Sequence, residues 1–271
     1  MQRVLGAIFS PKDIRDYRIK VDMAQEFPEE FELELPAVKN QGSVGSCVAH
    51  AIATTVEYHD KDIDPEPKSV GYIYGNRRMT LHTGPGLITR DALKTTCEYG
   101  DVSYDMFPYN KEVPSIISEL DKVLDNLSKE GELHRFKAFY KLNSINEVKT
   151  ALMKDGPVIF AMNWYSDIYT ENGLIKSKSG FDDKFKQGGH CMVIYGWNEK
   201  GWLVRNSWGK SWGDKGNATL SYSVPVREFW GITDDENTPL KKPFTTKIGR
   251  LFAKIFNKIC LFFYKIFNKG R

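Results

Sequence analysis

An α+β fold, a helical half followed by a sheet half with a cleft between them, is predicted by three features of the 271-residue sequence. Helical periodicity is concentrated before residue 155, short apolar runs bounded by Gly, Asn and Asp come after it, and Gly156-Pro157 marks the change. Two lobes of different grammar leave a crevice between them as the natural place for a site. Residues 1–36 read as an extended, charged leader interrupted by Pro11, Pro28 and Pro36. Cys47 to Tyr58 carries Val48, Ala49, Ala51, Ile52, Ala53 and Val56, apolar on most faces, which predicts a central buried helix beginning near Cys47. Helices are expected over Ser69–Met79, Ile88–Tyr99, Ser115–Lys129 and Asn146–Lys154, the last with Ser144 as cap and Glu147 three residues on. Strands are expected over Val158–Trp164, His190–Trp197, Trp202–Asn206 and Asn217–Tyr222. The domains are therefore a leader (1–36), a helical lobe (37–135), a sheet lobe (136–232), a polar linker (233–246) and a basic amphipathic helix (247–271).

Composition narrows the class. At 41% hydrophobic and 27% charged the chain is not disordered, collagenous or a coiled coil. Its net charge of +3 hides an asymmetry: Lys247, Arg250, Lys254, Lys258, Lys265, Lys269 and Arg271 gather seven cations and no acid at the C-terminal end, leaving residues 1–246 at −4. A nucleic-acid-binding body is thereby disfavoured. Cys47, Cys97, Cys191 and Cys260 stand far apart, which argues against a disulfide framework or structural metal, and no cofactor is called for. Val4 to Phe9 is too short for a secretory signal core, and no uncharged apolar run of about 18 residues occurs. A monomer that is cytoplasmic or exported by a non-classical route, with peripheral membrane attachment through its tail, is the expected setting.

Cys47 at the first turn of a helix sees the positive end of the macrodipole, which favours thiolate, and a neighbouring imidazolium would lower its pKa further. His190 opens a strand that a turn at Asn198-Glu199-Lys200-Gly201 folds back onto Trp202–Asn206, so His190 lands near Asn206. An amide oxygen accepting the Nδ1 proton would fix the ring and leave Nε2 facing a nucleophile. Gln41, six residues before Cys47, offers an amide that with the Cys47 N–H can hold an oxyanion, each donor contributing about 2.7–4 kcal/mol. Trp208 and Trp212 would shield the His–Asn bond, pack the core, or do both.

Gln41-Gly42-Ser43-Val44-Gly45-Ser46-Cys47, Gly189-His190 and Asn206-Ser207-Trp208-Gly209-Lys210-Ser211-Trp212-Gly213 together resemble the papain-like cysteine peptidases over roughly residues 38–232. His190 and Asn206 follow Cys47 in the family's order. The resemblance implies a papain-like two-lobed fold, Cys47 as nucleophile, His190 as general acid/base, Asn206 as orienting residue and Gln41 as oxyanion donor. It also implies that Gly86, Ala161, Trp208 and Gly189 border a peptide or protein substrate, Gly86 and Ala161 at the residue two before the cut; a turn glycine and a strand alanine are the alternatives. Thr89-Arg90-Asp91-Ala92-Leu93 is similar to the helix beside the cleft, and Asp155-Gly156-Pro157-Val158 to the entry into the sheet lobe. Val44 stands where secreted members have a disulfide cysteine, and Val48 replaces the tryptophan after the nucleophile, which fits a bacterial or viral, xylellain-like branch. In that branch a short N-terminal segment lies across the cleft, so part of residues 1–36 is expected to restrain the site.

The repeated Lys-Ile-Phe-Asn-Lys at 254–258 and 265–269 recurs after close to a whole number of helical turns, so both copies present the same helical face. Cations line one side and Ile and Phe the other, the pattern of a helix lying on an anionic membrane or docked on the enzyme or a partner. Thiol-dependent endopeptidase chemistry is the expected function. Self-processing or transpeptidation, and a membrane-interacting effector with a papain-like binding body, are the readings beside it. His50, His59, His82 and His134 are expected to be packing or surface residues.

Overall fold

Ser46 precedes α1 (Cys47–Asp60), whose first eleven residues are all buried, as its nearly unbroken apolar sequence requires. In the computed structural model, residues 4–17, 19, 25–78, 80, 82, 84–109 and 113–234 are described. Most of the linker, the basic helix expected over 247–271 and Cys260 lie outside them. The helical half continues with α2 (Val70–Gly75), α3 (Thr89–Tyr99) and α4 (Val113–Gly131). Ser69 caps α2 by accepting the Tyr72 N–H at 2.9 Å. The expected helix over Ser69–Met79 is shorter because Asn76 leaves the helical region, its ψ at 84°, while its N–H closes on the Tyr72 carbonyl.

The other half is a nine-stranded sheet. Its members are β2 (Phe31–Glu32), β4 (Ala138–Leu142), β5 (Val158–Tyr165), β6 (Ile168–Glu171), β7 (Leu174–Ser177), β8 (Lys186–Asn198), β9 (Gly201–Arg205), β10 (Asn217–Leu220) and β11 (Val226–Thr233). Their order is β4-β11-β5-β8-β9-β10-β7-β6, antiparallel except between β10 and β7, with β2 paired to the far end of β8. Strands β1 (Ala7–Ile8) and β3 (Leu87–Ile88) form a separate parallel pair. A fifth helix, α5 (Ile145–Asp155), starts where the sequence places it: the Ser144 hydroxyl accepts the Glu147 N–H at 3.1 Å.

Alternation along the strands sorts the core. Ile159, Ala161, Cys191, Val193, Trp230 and Ile232 pack with α1 and the other helices on one face of the sheet. Phe160, Met162, Met192, Ile194 and Val204 pack with Leu152 of α5 on the other. The first face carries the junction of the two halves, and there α1 meets β8.

Candidate active site

Cys47, the first residue of α1, is fully buried, and the backbone N–H of Cys191 is directed at its sulfur. The helix thus presents its N-terminal thiol to β8 immediately beside His190. Nε2 of His190 lies 2.8 Å from Asn206 Oδ1. That oxygen also accepts the Ser207 N–H at 2.7 Å, which fixes the amide orientation and makes His190 Nε2 the protonated nitrogen. The sequence expectation has the ring reversed, with Nδ1 on the asparagine. Val193 lies opposite Arg205, so Asn206 falls two residues along from His190 rather than beside it, and the outer ring nitrogen makes the bond. The imidazole stacks on Trp208, centroids 4.4 Å apart at 23°, and meets the edge of Trp164 at 5.1 Å. Trp212 abuts Trp208 edge-on at 5.9 Å, so the tryptophans both cover the His–Asn pair and pack the core.

Gln41 is buried and held from two sides. Its Oε1 accepts the Ser207 hydroxyl at 2.7 Å and its backbone N–H donates to the Ser207 carbonyl at 2.9 Å. Its amide Nε2 donates to the Val44 carbonyl at 2.9 Å and to the carbonyl of Val4 at 2.8 Å. Ser207 therefore orients this side chain; it stands within the Asn-Ser-Trp-Gly stretch, but sequence spacing assigns it no part.

The carbonyl on Gln41 belongs to the leader, which runs through the groove expected for substrate. The Gly6 N–H points at the Cys47 sulfur, and the Gly6 carbonyl accepts the Leu87 N–H at 2.9 Å. Gly86 has φ +91°, and a Cβ there would stand 2.5 Å from the Gly6 oxygen. A Cβ on Gly189 would stand 2.1 Å from the Ala7 oxygen, and one on Gly6 would stand 1.8 Å from the Gly45 oxygen. Ala161, fully buried, lies in register between Cys191 and Glu228. Gly86 and Gly189 thus face the leader, and Ala161 lies on the sheet face of this crevice.

Further along, Arg90 clamps the leader. Its Nε and Nη2 reach the two Asp16 oxygens at 2.7 and 2.6 Å, Nη2 also donates to the Pro11 carbonyl at 2.5 Å, and its backbone N–H donates to Ser10 Oγ at 3.0 Å. The side chains of this ion pair are buried, Arg90 at 6% and Asp16 at 8% exposure. The 74-residue separation of Arg90 from Asp16 leaves no local signal of the contact in the sequence.

Burial dominates the thiol. Desolvation pushes the Cys47 pKa up to about 11, against the N–H groups of Cys191, Gly6 and Val48, which pull it down. The N–H groups at the helix start act in the direction expected from the helix terminus, and in this buried setting desolvation outweighs them. Burial likewise pushes His50, one turn along α1, down to about 4, and its Nδ1 lies 3.0 Å from the Ser46 carbonyl. It is a packing residue.

A helical lobe and an antiparallel sheet lobe, with a thiol, an imidazole–amide pair and a second amide around their junction, define a cysteine peptidase of the two-lobed α+β class. The chain belongs to the papain family: residues 83–238 match the family described as papain family cysteine protease. It is similar to a peptidase C1-like protein of Acanthamoeba polyphaga mimivirus, 26% identical over 219 residues, covering 72% of this chain and 69% of that one. A cathepsin B-like cysteine proteinase of Ostertagia ostertagi is 37% identical over 89 residues, 31% of this chain and 49% of its own length. Among solved structures, xylellain from Xylella fastidiosa shares the fold with a TM-score of 0.72 at 23% identity, over 86% of this chain and 96% of that chain. A digestive procathepsin L of Tenebrio molitor does so with a TM-score of 0.62 at 17% identity, over 81% and 74%.

Proposed function

We propose that this papain-family peptidase hydrolyses peptide bonds through a Cys-His-Asn acyl-enzyme, is restrained by its own N-terminal segment and is recruited to anionic membranes by its C-terminal helix. The observation that carries the mechanism is the His190–Asn206 bond beside the buried thiol at the head of α1. With Nε2–H committed to Asn206, Nδ1 of His190 takes the Cys47 proton as the sulfur attacks the scissile carbonyl. Gln41 Nε2 and the Cys47 N–H receive the oxyanion, and the imidazolium protonates the leaving amine. His190 then takes a proton from water, whose oxygen attacks the acyl carbon and releases the thiol. Labelling of the full chain by an epoxide thiol inhibitor tests the assignment: modification of Cys47, to the exclusion of Cys97, Cys191 and Cys260, is expected, and modification spread over the others would refute it.

Restraint is supported by the occupant of the groove. The Val4 carbonyl sits on the amide expected to receive the oxyanion and the Gly6 N–H on the thiol expected to attack, so substrate and leader compete for the same groups. Removing residues 1–30 should raise the labelling rate; an unchanged rate would reject restraint. Recruitment is supported by the sequence of residues 247–271 alone, in which the six cations from Lys247 to Lys269 oppose an Ile and Phe face.

A further inference from the structure

An oxyanion needs its donors at a fixed spacing, and the two assigned above stand at the ends of one loop. Gln41 opens it, and the Cys47 N–H belongs to the peptide unit that Ser46 begins. Glycines weaken that loop. Gly42 has φ +58° with open space where a Cβ would stand, and Gly45 comes two positions before Cys47. Ser46 makes no side-chain cap bond to α1, so its hydroxyl is directed elsewhere.

Tyr109 bridges the two ends. Its phenol O–H donates to the Gln41 carbonyl at 3.0 Å, and the Ser46 hydroxyl lies 2.6 Å from the same phenol oxygen. With the phenol proton on the carbonyl, Ser46 donates and the phenol accepts. The Val44 N–H also reaches the Gln41 carbonyl, at 3.3 Å, but it comes from within the loop and ties it to nothing outside. Tyr109 is anchored in the helical lobe. Phe107, two residues earlier, is buried in the core, its carbonyl accepts the Ser69 hydroxyl, and the Tyr109 ring meets His50 of α1 edge-on at 5.0 Å. Burial pushes the phenol up to about 12, so it remains a donor through the neutral range. Ser207 thus holds Gln41 from the sheet side and Tyr109 holds it from the helical side.

We infer that Tyr109 is a positioning residue that sets the spacing of the two oxyanion donors by joining Gln41 to Ser46 across the loop. The inference rests on the proposed acyl-enzyme reading. The phenol acts through the Gln41 backbone, from which the amide side chain projects, and through Ser46, whose carbonyl shares one planar peptide unit with the Cys47 N–H. Without the bridge the donors lose their register. What is then lost is stabilisation of the tetrahedral intermediate, while substrate binding and the reactivity of the thiol itself remain.

The test uses full chains carrying Asp16→Asn, which breaks the leader's buried pair with Arg90, alone and with Tyr109→Phe or Ser46→Ala. Tyr109→Phe keeps the ring on His50 and removes one hydroxyl; Ser46→Ala removes the other end of the bridge. Two reactions of Cys47 are compared: hydrolysis of one peptide substrate, which passes through an oxyanion, and alkylation by iodoacetamide, in which sulfur displaces iodide and no oxyanion forms. Each variant is expected to lose about tenfold in kcat, the size of one hydrogen bond, with KM and the alkylation rate within about twofold. Unchanged kcat in both variants overturns the inference, as does an equal loss in hydrolysis and alkylation, which would mark general loosening around the thiol. The Ser46→Ala result decides the matter if Tyr109→Phe fails to fold. Alkylation stoichiometry in the same samples reports the underlying mechanism separately: a chain alkylated one-to-one at Cys47 whose kcat ignores the loss of either hydroxyl removes Tyr109 from the oxyanion site and leaves the nucleophile standing.

Discussion

The thiol of Cys47 and the ring of His190 are small groups whose neighbours do most to set their chemistry. Cys47→Ala removes a single sulfur from a well-packed core, so the fold should persist by circular dichroism while kcat/KM falls by at least about a thousandfold. Asn206→Ala frees Nε2 of His190 and withdraws the acceptor that also binds the Ser207 N–H; a loss on the order of a hundredfold in kcat/KM is expected, the size of an ångström-scale misplacement. The positions of Cys47 and Gln41 are legible because a helix start and the loop entering it have local grammar, whereas β8 begins at Lys186, four residues before the strand expected from His190, and β9 ends at Arg205, just before Asn206. Which ring nitrogen faces the asparagine is not legible, since it depends on a stagger between β8 and β9 that alternation cannot give.

At the scale of elements, the leader segment over residues 4–16 is the one to perturb. The crossing of Gly6 on Gly45 admits no side chain, so Gly6→Ala should displace the segment while leaving the body untouched. The pH profile of inhibitor labelling reads the result. Burial raises the Cys47 pKa to about 11 while the Gly6 N–H lowers it; to the extent that the segment supplies the burial, the thiolate is scarce while it is docked, and docking weakens as pH climbs from the free thiol's value toward 11. In Gly6→Ala the thiol returns toward an ordinary value of about 8.5, and labelling should rise at correspondingly lower pH. An identical profile in both chains would show that the segment does not desolvate the sulfur. Asp16→Asn attacks the same docking from its other end, where breaking a buried pair costs about 3–5 kcal/mol; faster labelling at neutral pH is expected there too. The central helix and the long strands are readable from periodicity. The two-residue strands β1 and β3 are not, because so short a stretch carries no period, and their parallel pairing joins segments from opposite sides of α1 and α2 in the chain. The overlong reading of α2 has a local cause, since residues 76–79 keep helix-compatible composition but Asn76 turns the chain away.

At the scale of the whole molecule, the charge of −4 on residues 1–246 and the seven cations that follow suggest that body and tail address different surroundings. Flotation with vesicles containing phosphatidylserine should carry the full chain and not a chain lacking residues 244–271, with binding weakened by salt; equal flotation of both would reject recruitment. The leader also joins distant regions of the body. Beyond the Arg90 clamp, the Tyr17 carbonyl accepts the Lys141 N–H at 2.9 Å, the Pro28 carbonyl accepts the Trp197 indole N–H at 3.1 Å, and β2 adds to the edge of β8. The leader is thus pinned twice, at the groove and at the sheet. While the backbone between the pins is whole, the residues lying in the groove are confined near their seat at an effective concentration in the millimolar range. A single cut between them would leave β2 stitched into the sheet and sever the groove-filling stretch from it, so that the tether no longer returns it to its seat. Vacating the groove would then be a one-way event, timed by cleavage rather than by equilibrium.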